Sequence, residues 1–147
     1  ADPAAEEAFT VIREGMRAHV RNTVAVNFNA PPDLRAAEVD LSMEWPANLS
    51  WEYGYFYMAG AWPTETGDDD DDGRYDEQSA FEDAARNNDF ATDPMLGSDS
   101  VTAPNYMPGV ALAGTAPTFG DTSASYAGAL QMGGTNWLEG WTAFPAN

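Results

Sequence analysis

The sequence predicts an all-β domain with one short helix, on three observations. Residues 19–26 and 49–58 are rich in β-branched and aromatic side chains, and 39–43 alternates apolar with polar. A helical start is written only once, near Ser79. Beyond Asp93-Pro94 the chain is dominated by Gly, Pro, Ala, Ser and Thr, a composition that wraps over a surface and cannot build long regular elements.

Residues 1–64 hold the strand candidates. Phe9–Ile12 and His19–Val26 are β-rich segments separated by a turn at Gly15. Strand alternation puts Val20, Val24 and Val26 on one face and Arg21, Thr23 and Ala25 on the other. The same stretch also reads as a helix, with Asp2 as N-cap, Pro3 next, and Phe9, Ile12, Met16 and Val20 as its stripe. Gly15 and the β-branched run favour strands. A Pro-bearing loop at Asn29–Pro32 follows, and then Val39, Leu41 and Met43 alternate with Asp40, Ser42 and Glu44. Leu49, Trp51, Tyr53, Tyr55 and Tyr57 form one face of the last candidate, against Ser50, Glu52, Gly54, Phe56 and Met58.

Residues 65–78 form an acidic loop, and 79–88 a short helix. Ser79-Ala80-Phe81-Glu82 has the capping-box form, with Ser79 as N-cap and Glu82 reaching back to it. Residues 89–147 are the irregular remainder, carrying Trp137, Trp141 and Phe144 near its end.

Charge and composition exclude several functions. The 147 residues include 24 Asp and Glu, six Arg, no Lys, one His and no Cys, for a net charge of −18. So negative a field repels phosphate backbones and anionic headgroups, which argues against nucleic-acid binding. No disulfide, thiolate nucleophile or zinc–thiolate site is available. No apolar run approaches the roughly 20 residues that a membrane-spanning helix needs. An apolar fraction of 44% is too high for a disordered acidic tail. Cysteine-free acidic chains are common outside the bacterial cytoplasm, so an extracytoplasmic location is expected. The chain begins Ala1-Asp2-Pro3, as expected after removal of a leader or inside a longer precursor.

The strongest local signal is Gly67–Glu77. Asp68, Asp70 and Asp72 followed by Gly73 match the opening of a calcium loop, with Asp76 at its ninth position. Ser79 stands where an EF-hand needs a bidentate Glu, so only a looser Ca²⁺ loop fits. A solvated acidic face and a protein-docking patch are the other readings of the same run. His19, the single histidine, lies in a strand with no nucleophile motif near it, and reads as structural. Arg13, Arg17 and Arg21 are the one cationic cluster that a polysaccharide-cleaving groove would use; the plainer reading pairs them with Glu6, Glu7 and Glu14. Asn48-Leu49-Ser50 fits a glycosylation sequon.

Several segments together resemble a known family. Ile12–Phe28 is similar to one rung of secreted bacterial right-handed parallel β-helix proteins and lipoproteins, largely uncharacterised. Asp76–Glu82 is similar to the short helix that interrupts their last rungs. Asn88–Leu96 and Ala103–Pro108 resemble two of their late segments. Tyr126-Ala127-Gly128-Ala129, followed by Asn136-Trp137 and Gly140-Trp141-Thr142-Ala143-Phe144, resembles their C-terminal motif. The chain departs from that pattern in lacking many upstream rungs, and in having Gly109-Val110-Ala111-Leu112 for Ser-Pro-Ala-Leu. The resemblance implies β-helix rungs closed by an aromatic cap, an extracytoplasmic compartment, and no activity. An irregular, aromatic-tipped tail also suits the physical need to cover the open end of a stack.

The expected function is therefore a non-enzymatic structural or interaction module, with Ca²⁺ at Asp68, Asp70, Asp72 and Asp76, and a protein partner or larger assembly. One alternative is an accessory subunit docked on the outer face of a photosynthetic or respiratory membrane complex. Another is carbohydrate binding or cleavage, with Trp51, Tyr53, Tyr55 and Tyr57 stacking on sugars.

Overall fold

The structure is a computed structural model, and it describes residues 8–13, 16–35, 44–62, 76–98, 105–118 and 122–136. Six short strands carry the regular structure: β1 (Val11–Arg13), β2 (Ala18–Arg21), β3 (Val24–Val26), β4 (Asp33–Arg35), β5 (Leu49–Glu52) and β6 (Tyr55–Tyr57). One helix, α1 (Glu77–Phe81), and a 3-10 turn at Ala84–Arg86 follow. Among the described residues the regular structure is mostly strand, with one short helix and no closed barrel, as an all-β chain requires.

The strands pair in sequence order. β1 lies parallel to β4, β2 to β5 and β3 to β6, each as a two-stranded ladder. Ala18 faces Leu49 and Val24 faces Tyr55, both 31 residues on, while Val11 faces Asp33, 22 residues on. The extra nine residues of spacing therefore fall between β4 and β5. Parallel neighbours need a long connection between them; here the two intervening strands of the triplet supply it. A further layer begins at Asp89, which bridges Tyr55 in parallel.

Left-handed corners decide where strands end. Asn22 (φ 58°) divides the expected 19–26 strand into β2 and β3, and Tyr53 (φ 56°) divides 49–58 into β5 and β6. A residue in this region turns the chain and resets which side chains point inward. Ala18 and Val20 of β2 pack on the core, yet in β3 it is Ala25 that is buried, with Val24 and Val26 half-buried. Val20, Val24 and Val26 therefore do not share a face. Likewise Leu49 and Trp51 point inward from β5 but Phe56 does so from β6, which removes Tyr55 and Tyr57 from the expected Leu49–Trp51 face.

The helix starts earlier than its sequence signature suggests. Asp76 is the N-cap; its carboxylate accepts from the Ser79 amide at 2.9 Å and the Ser79 hydroxyl at 2.7 Å. Asp outcompetes Ser here because a full negative charge also suits the helix N-terminus. Ser79 thus sits inside α1, and Glu82 is its C-cap, accepting side-chain bonds from Gln78 and Trp62. The Val39–Met43 strand candidate lies outside the described residues.

Between the triplets and α1 lies an aromatic core. Ile12, Ala25, Leu34, Leu49, Trp51, Phe56 and Phe81 are buried together. Phe81 has its ring centroid 5.2–6.3 Å from those of Trp45, Trp51, Phe56 and Trp62. Phe90 stacks on Phe56 at 4.9 Å. The plug seen on this side of the strands is thus Phe81, carried by a single helical turn; the expected lid residues Trp137, Trp141 and Phe144 lie outside the described residues. Phe81→Ala is expected to cost about 3–5 kcal/mol in urea unfolding, because four ring contacts collapse poorly around the void. Phe81→Leu should lose clearly less.

Candidate functional site

Two surfaces carry the chemistry that the fold assembles. The first is the outer face of β2 and β5, where alternate side chains leave the sheet. Arg17 meets Glu44 at 3.0 Å, the His19 Nδ1 lies 2.7 Å from the Ser50 hydroxyl, and Arg21 meets Glu52 at 3.0 Å. Glu52 also takes Arg86, at 2.6 Å, and Arg86 reaches Asp83 at 3.7 Å. The register creates these pairs: His19 faces Ser50, and Arg21 faces Glu52. The Arg17 hydrogen bond, followed by that from Asn48, holds the Glu44 carboxyl below its ordinary range.

The arginine cluster is therefore spent largely on carboxylates 27 and 31 residues away in sequence. Glu6, Glu7 and Glu14 lie outside the described residues, as does the Arg13 side chain. His19 and Ser50 stand at the distance of a base and a nucleophile, a juxtaposition that no local motif announces. Ser50 is only 2% exposed and sits in a register position between two strands. A buried hydroxyl offers no attack path, and among the described residues no carboxylate hydrogen-bonds the His19 ring. The arrangement is a polar pair held across the ladder.

The second surface lies where the late chain meets the corner at Asn22. The Asn22 side chain donates to the Thr115 carbonyl and accepts from the Thr115 amide, both at 2.8 Å. Its own carbonyl accepts from the Gly128 amide at 2.7 Å. Asn88 performs the same service one layer on: Oδ1 accepts from Gly54, and Nδ2 donates to the carbonyls of Trp51 and Phe81. Beside the Asn22 clamp is an apolar cleft of about 370 Å³, lined by Val24, Leu96, Tyr106, Leu112 and Leu130 among others. Sequence reasoning missed it, because its walls come from segments about 100 residues apart.

The expected calcium ligands are only partly placed. Asp68, Asp70 and Asp72 lie outside the described residues. Asp76 is exposed and already caps α1; the Ser79 amide and then the Ser79 hydroxyl hold its carboxyl below the usual value. Among the described residues no three His, Asp or Glu side chains converge on a point that could hold a metal. Trp51, one of the four rings expected to stack on sugars, is buried and donates its indole N–H to Thr23.

Compared with known proteins, the chain matches no family model, no curated protein and no solved structure.

Asn22→Ala should cost about 1–3 kcal/mol, since it strands two backbone groups of Thr115 and forces a Cβ-bearing residue to keep φ near 58°. Asn22→Gly removes the amide without the backbone strain; faster exchange of the Thr115 amide in that variant isolates the clamp. Asp89 offers a pH test. Partial burial raises its pKa, but bonds from the Thr92 hydroxyl and the Thr92 and Ala91 amides outweigh it, leaving the group below its ordinary value. A depressed carboxyl contributes stability above its unfolded pKa and loses it as pH falls through the folded one. Wild type should therefore lose stability more steeply below about pH 4 than Asp89→Asn, measured by urea midpoints across pH 2–6.

Proposed function

We propose that the protein is a non-enzymatic structural or interaction module of the bacterial cell exterior. Its two strand triplets serve as successive rungs of a short right-handed parallel β-helix, and residues 89–147 as the irregular wrap and cap. The observation that carries this reading is the pairing of β1, β2 and β3 with β4, β5 and β6, in order and in parallel. Repeating corners at Asn22 and Tyr53 support it, as does the 31-residue spacing shared by two ladders. A rung-like stack presents broad flat faces and edges, which suit binding other proteins more than enclosing a substrate. The motif resemblance of the rung and C-terminal segments supports the exterior location.

The reading includes a calcium ion in the acidic loop. The spacing of Asp68, Asp70 and Asp72 before Gly73 supports it, and Asp76, exposed and held ionised, keeps lone pairs free for a hard cation. Among the described residues no helix is long and apolar enough to cross a membrane.

Fractionation of the source cells tests location: recovery from the envelope or medium is expected, and purely cytosolic recovery would overturn the reading. Millimolar Ca²⁺ should raise the melting temperature relative to EDTA by roughly 5–10 °C, if the ion reaches about 100 times its Kd. Asp70→Asn combined with Asp72→Asn should abolish that shift. Identical melts with Ca²⁺ and EDTA would remove the ion.

A further inference from the structure

Just before the described residues end, the late chain turns back on itself. The Gly134 amide donates to the Gln131 carbonyl at 2.9 Å, and Gly133 stands at φ 67°. A positive φ at the third of four residues marks a tight reversal, and glycine adopts it without strain. Gly128 and Leu130, which precede this turn, line the apolar cleft of about 370 Å³ together with Val24, Leu96, Tyr106 and Leu112. At Gly128 (φ 88°) a Cβ would lie 3.0 Å from Val24 Cγ2, so this part of the wall is bare backbone. Among the described residues that line the cleft none is charged. Residues 137–147, into which the turn leads, carry one charge, Glu139, and three large rings, Trp137, Trp141 and Phe144.

We infer that the Trp137 indole occupies this cleft and fastens the late chain to the outer face of β3. A chain doubled back over Gln131–Gly134, stepping one pair at a time away from the turn, sets Thr135 beside Leu130, Asn136 beside Ala129 and Trp137 beside Gly128. Gly128 has no side chain to contest the space, and the neighbouring Val24 side chain offers an apolar surface. An uncharged apolar cleft suits a large ring with one polar handle. A ring on a short tether also meets the cleft at an effective concentration on the order of millimolar, an advantage that a free apolar molecule lacks. The occupant is therefore the chain's own tail rather than a ligand. This role for Trp137 rests on the reading of residues 89–147 as a wrap, and it puts the ring on the flank of the stack, away from its open end.

The test begins with the full wild-type chain, labelled at Val and Leu methyl groups, its Trp137 indole signals assigned by their loss in Trp137→Phe. Nuclear Overhauser contacts are expected from that indole to the methyls of Val24, Leu112 and Leu130. Contacts to Ile12 in their place would move the ring to the end of the stack, overturning this inference while the wrap and cap reading stands. An indole with no contact to any of these methyls would overturn it too. The second measurement uses N-phenyl-1-naphthylamine, a neutral apolar dye. Trp137→Ala should bind it about tenfold tighter than wild type, the factor that burying one apolar group provides. Adding Leu112→Trp, which refills the cleft, should remove that gain. Equal dye affinity of wild type and Trp137→Ala, or a gain that Leu112→Trp leaves intact, would each count against the cleft as the seat of Trp137.

Discussion

A left-handed turn of backbone, repeated at equivalent places in successive layers, governs the strand region. Asn22, Tyr53 and Asn87 have φ values of 58°, 56° and 56°, and Asn27 and Met58 repeat the turn at 62° and 52°. The amide of each corner donates to the carbonyl just before the next: Asn22 to Glu52, Tyr53 to Arg86, Asn27 to Tyr57. Left-handed backbone costs an L-residue roughly 1–2 kcal/mol, least for Asn. The interlayer hydrogen bonds offset that cost only if the corners coincide, so strand lengths are matched. Asn27 stands five positions after Asn22 and Met58 five after Tyr53, leaving β3 and β6 three residues each.

Large flat side chains fill the space between the short strands and α1. Phe9, Trp51, Phe56 and Phe81 meet mostly edge-on or tilted, the geometry that aromatic quadrupoles favour. A helix of five residues would be marginal alone. It persists because Asp76 satisfies its N-terminus and Phe81 is buried among rings at its other end. The asparagine side chains do for the irregular segments what ladders do for strands. Asn22 ties Thr115 and Gly128 to the first triplet, and Asn88 ties Gly54, Trp51 and Phe81 together. A wrap poor in secondary structure thereby pairs its backbone polar groups.

On the outer face the same layering sorts charge. Register sets Arg21 against Glu52 and His19 against Ser50, so ion pairs and polar pairs form between positions that sequence keeps far apart. Exposed pairs contribute little stability each. Their weight is in specifying which layer lies on which.

The all-β character was legible in the β-branched and aromatic runs at 19–26 and 49–58, and a short helix near Ser79 was legible in its polar start. The excluded chemistry followed from composition: without cysteine there is no thiolate, whatever the fold. The corners were not legible, because Tyr53 and Met58 have no turn signature and adopt the left-handed region only where a neighbouring layer rewards it. With the corners hidden, the inward faces of β3 and β6 were misassigned, for one bend resets a two-residue alternation. The capping box at Ser79 lost to Asp76, whose full negative charge suits the helix N-terminus. The Asn22 clamp, the His19–Ser50 pair and the apolar cleft depend on segments 31 to about 100 residues apart. Local sequence specifies what a segment tends to be; only the stacking of one layer on another specifies what it touches.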